Sequence, residues 1–259
     1  MLLYRIGPEG FYAVSDGPDG ELRVLHADPL AEPVAAWELG RPVTRAQASL
    51  LTPVLPGKIV GIGRNYVEHA REMDNPVPSE PVLFLKAPSS VIGPRSPVVL
   101  PLASQRVEYE GEIAVVVRER LRRATAEQAE RAVLGVTGAC DVTARDLQRS
   151  DATWARAKSF DTFCPLGPAI LVGAELDDLT VVTRLNGVER QRGSTHDMVF
   201  GIVDLLVYVS RMMTLEPGDL LLTGTPGGVG QLAGGDLIEV EVLGAGVLAS
   251  PVETWKQAP

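Results

Sequence analysis

Acids alternate with apolar and small residues from Val107 to Glu112, and the β-branched run Ile113-Ala114-Val115-Val116-Val117 follows. A period of two passing into such a run predicts a strand. Alternate side chains on a strand share a face, so Glu110 and Glu112 point the same way, with Glu108 beside them. Similar short apolar runs at Phe11–Val14 and Leu22–Leu25 flank the turn Gly17-Pro18-Asp19-Gly20. They predict a small β-rich segment before the Pro-punctuated stretch Pro53–Gly57. Lys58–Ile62 and Val82–Lys86 predict two more strands, and Leu134–Cys140 predicts a third that ends at Asp141. Arg184–Glu189 carries Asn-Gly between strand-like runs, a hairpin signal. Asp219–Leu222 and Asp236–Leu243 predict strands after Pro-Gly and Gly-Gly turns.

Helical signals are fewer. Thr125-Ala126-Glu127-Gln128 has the form of a capping box. Thr143–Asp146 opens another short helix. Met198–Met213 shows helical spacing through Val199, Ile202, Val203, Leu206, Val207 and Val209. His69–Met73 predicts a brief helix, and the Pro-rich 75–81 stretch a mobile loop. Mixed strands with scattered helices and no βαβ regularity predict an α+β fold.

Composition narrows the function. The chain has 259 residues, 45% hydrophobic and 22% charged, as in an ordinary globular protein. No apolar run reaches the length of a membrane span, and Met1–Arg5 has no signal-peptide stretch, so a cytoplasmic protein is expected. Cys140 and Cys164 make neither a disulfide framework nor a metal cluster and read as small core residues. The net charge of −9 argues against nucleic acid as a partner. The basic stretch Arg118–Arg123 is interrupted and reads as a solvated turn.

Several residues carry candidate chemistry. Paired glutamates buried together need a cation, and all-carboxylate ligation suits Mg²⁺ or Mn²⁺ rather than zinc. A solvated strand face is the competing reading of the same acids. His69 and Glu72 lie three apart, on one helical face, as a histidine general base and its orienting carboxylate would; an incidental pair on an exposed helix is the alternative. Lys158, among small and apolar residues, could be partly buried and polarise a carbonyl, or lie on the surface. His26 and His196 have no such neighbour. The glycine-rich loop Thr223–Gly230 lacks the ending of a phosphate-binding loop and is either a small-anion cradle or a tight turn.

Gly63-Arg64-Asn65-Tyr66 with His69 and Glu72, Tyr109-Glu110-Gly111-Glu112, Asp141–Asp146, Ala157–Asp161 and Leu215–Asp219 through Gly224-Thr225-Pro226 occur in order. In these motifs, from about Lys58 to Val252, the chain resembles the fumarylacetoacetate hydrolase family, in its short bacterial-type branch. The resemblance implies a mixed β-roll catalytic domain over residues 56–259, after a small β-rich domain over residues 1–55, and a homodimer. It implies Mg²⁺ or Mn²⁺ on Glu110, Glu112 and Asp141, and a water-activating pair, His69 and Glu72, on a lid that orders with substrate. It implies substrate contacts from Arg145, Gln148, Lys158, Thr225 and Lys86. Glu108 departs from the aspartate that relatives often carry there. The implied substrate is a 2-oxo acid, and the expected reaction is hydrolytic cleavage of an acylpyruvate. Isomerisation of a 2-hydroxyhepta-2,4-diene-1,7-dioate in aromatic catabolism, oxaloacetate decarboxylation and a non-catalytic small-molecule-binding relative are the alternatives.

Overall fold

The strand Gly111–Val117 is buried at all seven positions, because both of its faces are covered. Ile113, Val115 and Val117 pack into one apolar cluster, and Ala114 and Val116 into another on the opposite face. A strand buried on both sides reads as a continuous apolar run, as this one does. The computed structural model describes residues 1–45, 48–72 and 76–255. Among these, twelve strands form one mixed sheet. Its central order is Cys164–Val172, Val133–Cys140, Gly111–Val117, Leu220–Leu222, Ile59–Gly63, Val82–Lys86.

Leu220–Leu222 and Ile59–Gly63 run parallel, and Asp219 anchors the pair. Its carboxylate accepts from the Lys58 backbone N at 2.9 Å and from Lys58 Nζ. The N-terminal strands continue the same sheet, with Leu2 and Leu3 opposite Leu171 and Ile170. A five-stranded sheet that includes Thr180–Leu185, Val188–Ser194 and Leu237–Val242 packs on the first cluster. The resulting α+β architecture is the expected one.

Several predicted elements form as read. Thr125 caps the helix Ala126–Arg131, and Gln128 closes the box. Asn186 and Gly187 take left-handed φ of 54° and 77°, the geometry of a tight hairpin turn. Three expectations are corrected. The long helix covers Ile202–Met212 rather than starting at Met198. Asn65 accounts for the difference: it takes the Val199 N–H on its carbonyl and the Phe200 N–H on Oδ1, which draws that stretch away from helical bonding. Thr143 and Ala144 form a short strand, and the helix begins at Arg145. The acidic strand is broken at Glu110, between Val107–Tyr109 in a three-stranded sheet and Gly111–Val117 in the large one. The expected end of the His69 helix at Met73 and the start of the Pro-rich loop at Asn75 lie outside the described residues.

Candidate active site

The break at Glu110 positions the acids. Gly111 follows it, and a Cβ there would collide with Thr183 Oγ1, so only glycine lets the two sheets approach so closely. Gly111 N donates to Gln191 Oε1 at 3.0 Å. Gln191 Nε2 donates in turn to Thr225 Oγ1 at 2.7 Å and to the Pro226 carbonyl at 2.9 Å. Thr225 Oγ1 donates back to the Gly111 carbonyl at 2.9 Å. One buried glutamine from the smaller sheet thus ties the turn between Glu110 and Glu112 to the glycine-rich loop. Asp141, at the end of Val133–Cys140, joins them through its N–H to the Glu110 carbonyl at 2.8 Å.

The carboxylates of Glu110, Glu112 and Asp141 offer oxygens that all lie within 4.8 Å of one another. None is solvated: Glu110 is 4% exposed, Glu112 1% and Asp141 0%. The solvated-face reading of these acids therefore falls, and so does a surface position for Lys158. Lys158 Nζ donates to Glu110 Oε2 at 2.7 Å and to Asp141 Oδ2. Lys86 Nζ donates to Asp141 Oδ1 at 2.7 Å and to the Lys158 carbonyl. Arg145 donates to Glu110 Oε1, to Glu108 Oε2 at 2.6 Å and to Gln148 Oε1 at 2.6 Å. Glu108 is thus the far anchor of the Arg145 guanidinium, which it shares with Glu110. Arg106 bonds Glu108 from the half-exposed rim.

Glu112 differs from its neighbours. It accepts one hydrogen bond, from Gly224 N at 2.7 Å, and has no ion pair among the described residues. Burial, then the charges of Asp141 and Glu110, push its carboxyl well above the usual carboxylate range. Glu110 moves the other way: burial raises it, but Lys158 and Arg145 outweigh that and hold it well below the usual range. Among the described buried residues here, four carboxylates (Glu108, Glu110, Glu112, Asp141) face three cations (Arg145, Lys158, Lys86), and Arg106 adds a fourth cation to Glu108 from the rim, so Glu112 is the carboxylate left without an ion pair. A buried carboxylate without a cation, in an all-oxygen set, fits a hard divalent ion.

His69 is 6% exposed and lines the same cavity as Glu110, Glu112, Arg145, Gln148, Lys158 and Thr225. Its helix is Val67–Glu72, and Nδ1 lies 3.5 Å from Glu72 Oε2, close but without a hydrogen bond. Glu72 is itself held by the Gly228 N–H at 3.1 Å. Before this helix, Arg64 takes a left-handed φ of 60°, which costs a non-glycine residue about 1 kcal/mol. The turn sends Asn65 inward, where Nδ2 donates to the Thr223 and Phe200 carbonyls at 2.9 and 3.1 Å. This helix is thereby fastened at its base to the strand that leads into Thr225. His196, expected to lack a partner, lies 3.8 Å from Asp178, both exposed. Cys140 and Cys164 are buried and free; burial pushes both thiols up, Cys164 to about 12.

Residues 58–253 match the fumarylacetoacetate (FAA) hydrolase C-terminal family. The chain belongs to the fumarylacetoacetate hydrolase family. It is 43% identical over 221 residues to a human mitochondrial oxaloacetate tautomerase, FAHD2A, covering 80% of this chain and 70% of that protein. A 5-carboxymethyl-2-hydroxymuconate delta-isomerase from Mycobacterium smegmatis superposes with a TM-score of 0.89 at 38% identity, covering 98% of this chain and all of that one. A fumarylacetoacetate hydrolase from Exiguobacterium antarcticum superposes with a TM-score of 0.84 at 35% identity, over 98% of this chain and all of that one. Membership makes this chain an enzyme of a family whose members include hydrolases, isomerases and tautomerases. No helix among the described residues is long and apolar enough to cross a membrane.

The structure brings nine of the ten sequence-predicted site residues around this cavity or its acids; Glu72 reaches it behind His69. Sequence reasoning missed Gln191, Phe84 and Trp154. Gln191 stands in a run of charged and polar residues, Glu189-Arg190-Gln191-Arg192, and nothing local marks it as buried. In a family enzyme with this site, Gln191→Leu leaves Gly111 N and Thr225 Oγ1 short of a partner. The expected result is a loss of about 1–3 kcal/mol in denaturant unfolding. A roughly tenfold weaker divalent-metal affinity by calorimetry is expected with it, as for other groups that orient ligands from behind.

Proposed function

We propose that this chain is a divalent-metal-dependent enzyme that acts on a 2-oxo acid through its enolate, and that its reaction is hydrolytic C–C cleavage of an acylpyruvate-type substrate. The observation that carries this reading is the position of His69, which opens onto the same cavity as the three carboxylates and has Glu72 behind it. Glu110, Glu112 and Asp141 would hold Mg²⁺ or Mn²⁺, which supplies Lewis acidity toward the 2-oxo group. That ion, with Arg145 and Lys158 beside it, suits the substrate carboxylate. Arg64, Arg145, Gln148, Lys158 and Thr225 line its surroundings and orient it.

With Nδ1 turned toward Glu72, the Nε2 atom of His69 is left to take a proton from water. The hydroxide adds to the distal carbonyl carbon, C4. The C3–C4 bond breaks, and its electron pair passes to C3 as the pyruvate enolate. A proton returned to C3 completes pyruvate, and the distal fragment leaves as a carboxylic acid.

The diagnostic assay is loss of the ultraviolet enol absorbance of an acylpyruvate, with pyruvate followed separately, in Mg²⁺ and in EDTA. Chelator-sensitive loss with one pyruvate per substrate supports hydrolysis. His69→Ala is expected to slow that reaction by about 10²–10⁴-fold while leaving metal affinity unchanged. Full hydrolysis by this variant would remove the dyad from the mechanism.

A second reading is proton transfer between C3 and the 2-oxo oxygen, an isomerisation or tautomerisation that consumes no water. Similarity to an oxaloacetate tautomerase and to a muconate-type isomerase supports it. Enol loss from oxaloacetate, with no pyruvate formed, would select this reading over hydrolysis. Tight binding without any turnover would leave a small-molecule-binding relative.

A further inference from the structure

Two glycines on the strand Ile59–Gly63 make room for an aromatic wall. A Cβ on Gly61 would collide with the Phe84 ring, and one on Gly63 would come within 3.1 Å of Trp154. The two rings have centroids 5.7 Å apart at an interplanar angle of 60°. Lys158 Nζ lies over the Phe84 ring, 4.7 Å from its centroid, so Phe84 also touches the charged network. Phe84 is thereby committed to the site, and Trp154 lies beyond it.

The pair separates two spaces of opposite character. On one side is the acid-lined cavity of about 60 Å³. On the other is an open surface recess of about 380 Å³ lined by Val82, Leu83, Leu85, Ala152, Thr153 and Ala155, the last four exposed. Phe84 and Trp154 line both. All but one of the other recess residues are apolar, so it offers nothing to a second carboxylate but favours a hydrocarbon chain.

We propose that Trp154 determines substrate length, by closing the carboxylate-binding cavity against this recess and restricting the site to 2-oxo acids with a short distal group. The proposal rests on the 2-oxo acid reading above and narrows it: the distal group is methyl- or carboxylate-sized, and a longer alkyl chain needs the tryptophan ring to give way. Trp154 touches the space the substrate's far end would enter and takes no part in the proton transfers.

The test uses binding rather than turnover, so it is independent of which reaction the enzyme performs. Calorimetric affinities of pyruvate, 2-oxobutanoate, 2-oxohexanoate and 2-oxooctanoate are measured in Mg²⁺ for the wild type and Trp154→Ala. The wild type is expected to bind pyruvate and 2-oxobutanoate best. Trp154→Ala is expected to gain tenfold or more for 2-oxooctanoate relative to pyruvate, the equivalent of less than two newly buried methylenes. Leu85→Asp in that background is expected to remove the gain, because it places a charge in the recess. Trp154→Leu opens the wall less and is expected to move the same ratio in the same direction; it serves if the alanine variant does not fold. An unchanged chain-length ratio with pyruvate still bound overturns the proposal alone. A wild type that already prefers the long acid also overturns it. Failure of every acid to bind both proteins removes the proposal together with the 2-oxo acid reading.

Discussion

Lys158→Met is expected to abolish turnover and to lower the stability of the metal-free protein by about 3–5 kcal/mol, the scale seen when one member of a buried ion pair is removed. Methionine nearly reproduces the length of the lysine and fills the space against Phe84, so the loss reports charge rather than a cavity. Lys158 Nζ is shared between Glu110 and Asp141 and is completely enclosed. Burial alone would lower its proton affinity; Asp141 and Glu110 together raise it above the ordinary lysine value, so it stays charged. Removing it leaves Glu110 and Asp141 with one cation fewer between them. A divalent ion then has more to neutralise, and Mg²⁺ or Mn²⁺ is expected to return a larger share of stability to the variant than to the wild type. Urea unfolding with and without metal measures both quantities. A loss below about 1 kcal/mol, or no difference in metal response, would mean that the ion pairs carry little of the site's stability.

Glu112→Gln should move stability and function in opposite directions. Glu112 is enclosed, lacks a cationic partner and faces two other carboxylates. Glutamine keeps the shape and can still accept the Gly224 N–H through its carbonyl oxygen, but it brings no charge. The metal-free variant is therefore expected to be more stable than the wild type at neutral pH, by about 1 kcal/mol or more, in line with other sites that trade stability for activity. The sign with pH follows from the raised carboxyl. Below its unfolded value of 4.5 the group is protonated in both states, and Glu and Gln should behave alike. As pH rises past that value the unfolded chain ionises first, so the stability that neutral Glu112 contributes is progressively lost, and the advantage of the glutamine grows. Divalent-metal stabilisation and catalysis are expected to disappear in the same variant. Thermal melts between pH 4 and 8, with and without Mg²⁺, decide it. A variant less stable than the wild type across that range would show that Glu112 has a favourable partner in solution.

Much of the fold was legible because its elements are short and their patterns unambiguous. The capping box at Thr125 and the Asn186-Gly187 turn are local chemistry and need no distant partner. The departures are also physical. Periodicity predicts a helix from Met198 because it cannot register that Asn65, far away in sequence, captures the Val199 and Phe200 N–H groups. Alternation through Glu110 predicts a continuous acidic strand, although pairing with different sheets on its two sides breaks it. Trp154 did leave a signal, a lone aromatic in a polar stretch, but nothing local says that it faces a cavity rather than the core.

By itself the sequence determined which residue types exist for the chemistry and some of their pairings. Glu110 and Glu112 come from one short segment, and His69 and Glu72 share a helical face because a helix repeats every 3.6 residues. It also determined an α+β chain of mixed strands. The tertiary structure alone decided which charges meet. Lys158 reaches Glu110 across 48 residues, and Gln191 reaches Gly111 across 80. Those meetings depend on the register of strands from separate sheets, and register is fixed by the packing of whole faces rather than by any local pattern. The same packing excludes water from four carboxylates at once. That exclusion turns an acidic stretch of sequence into a site in which one buried carboxylate, Glu112, has no cationic partner.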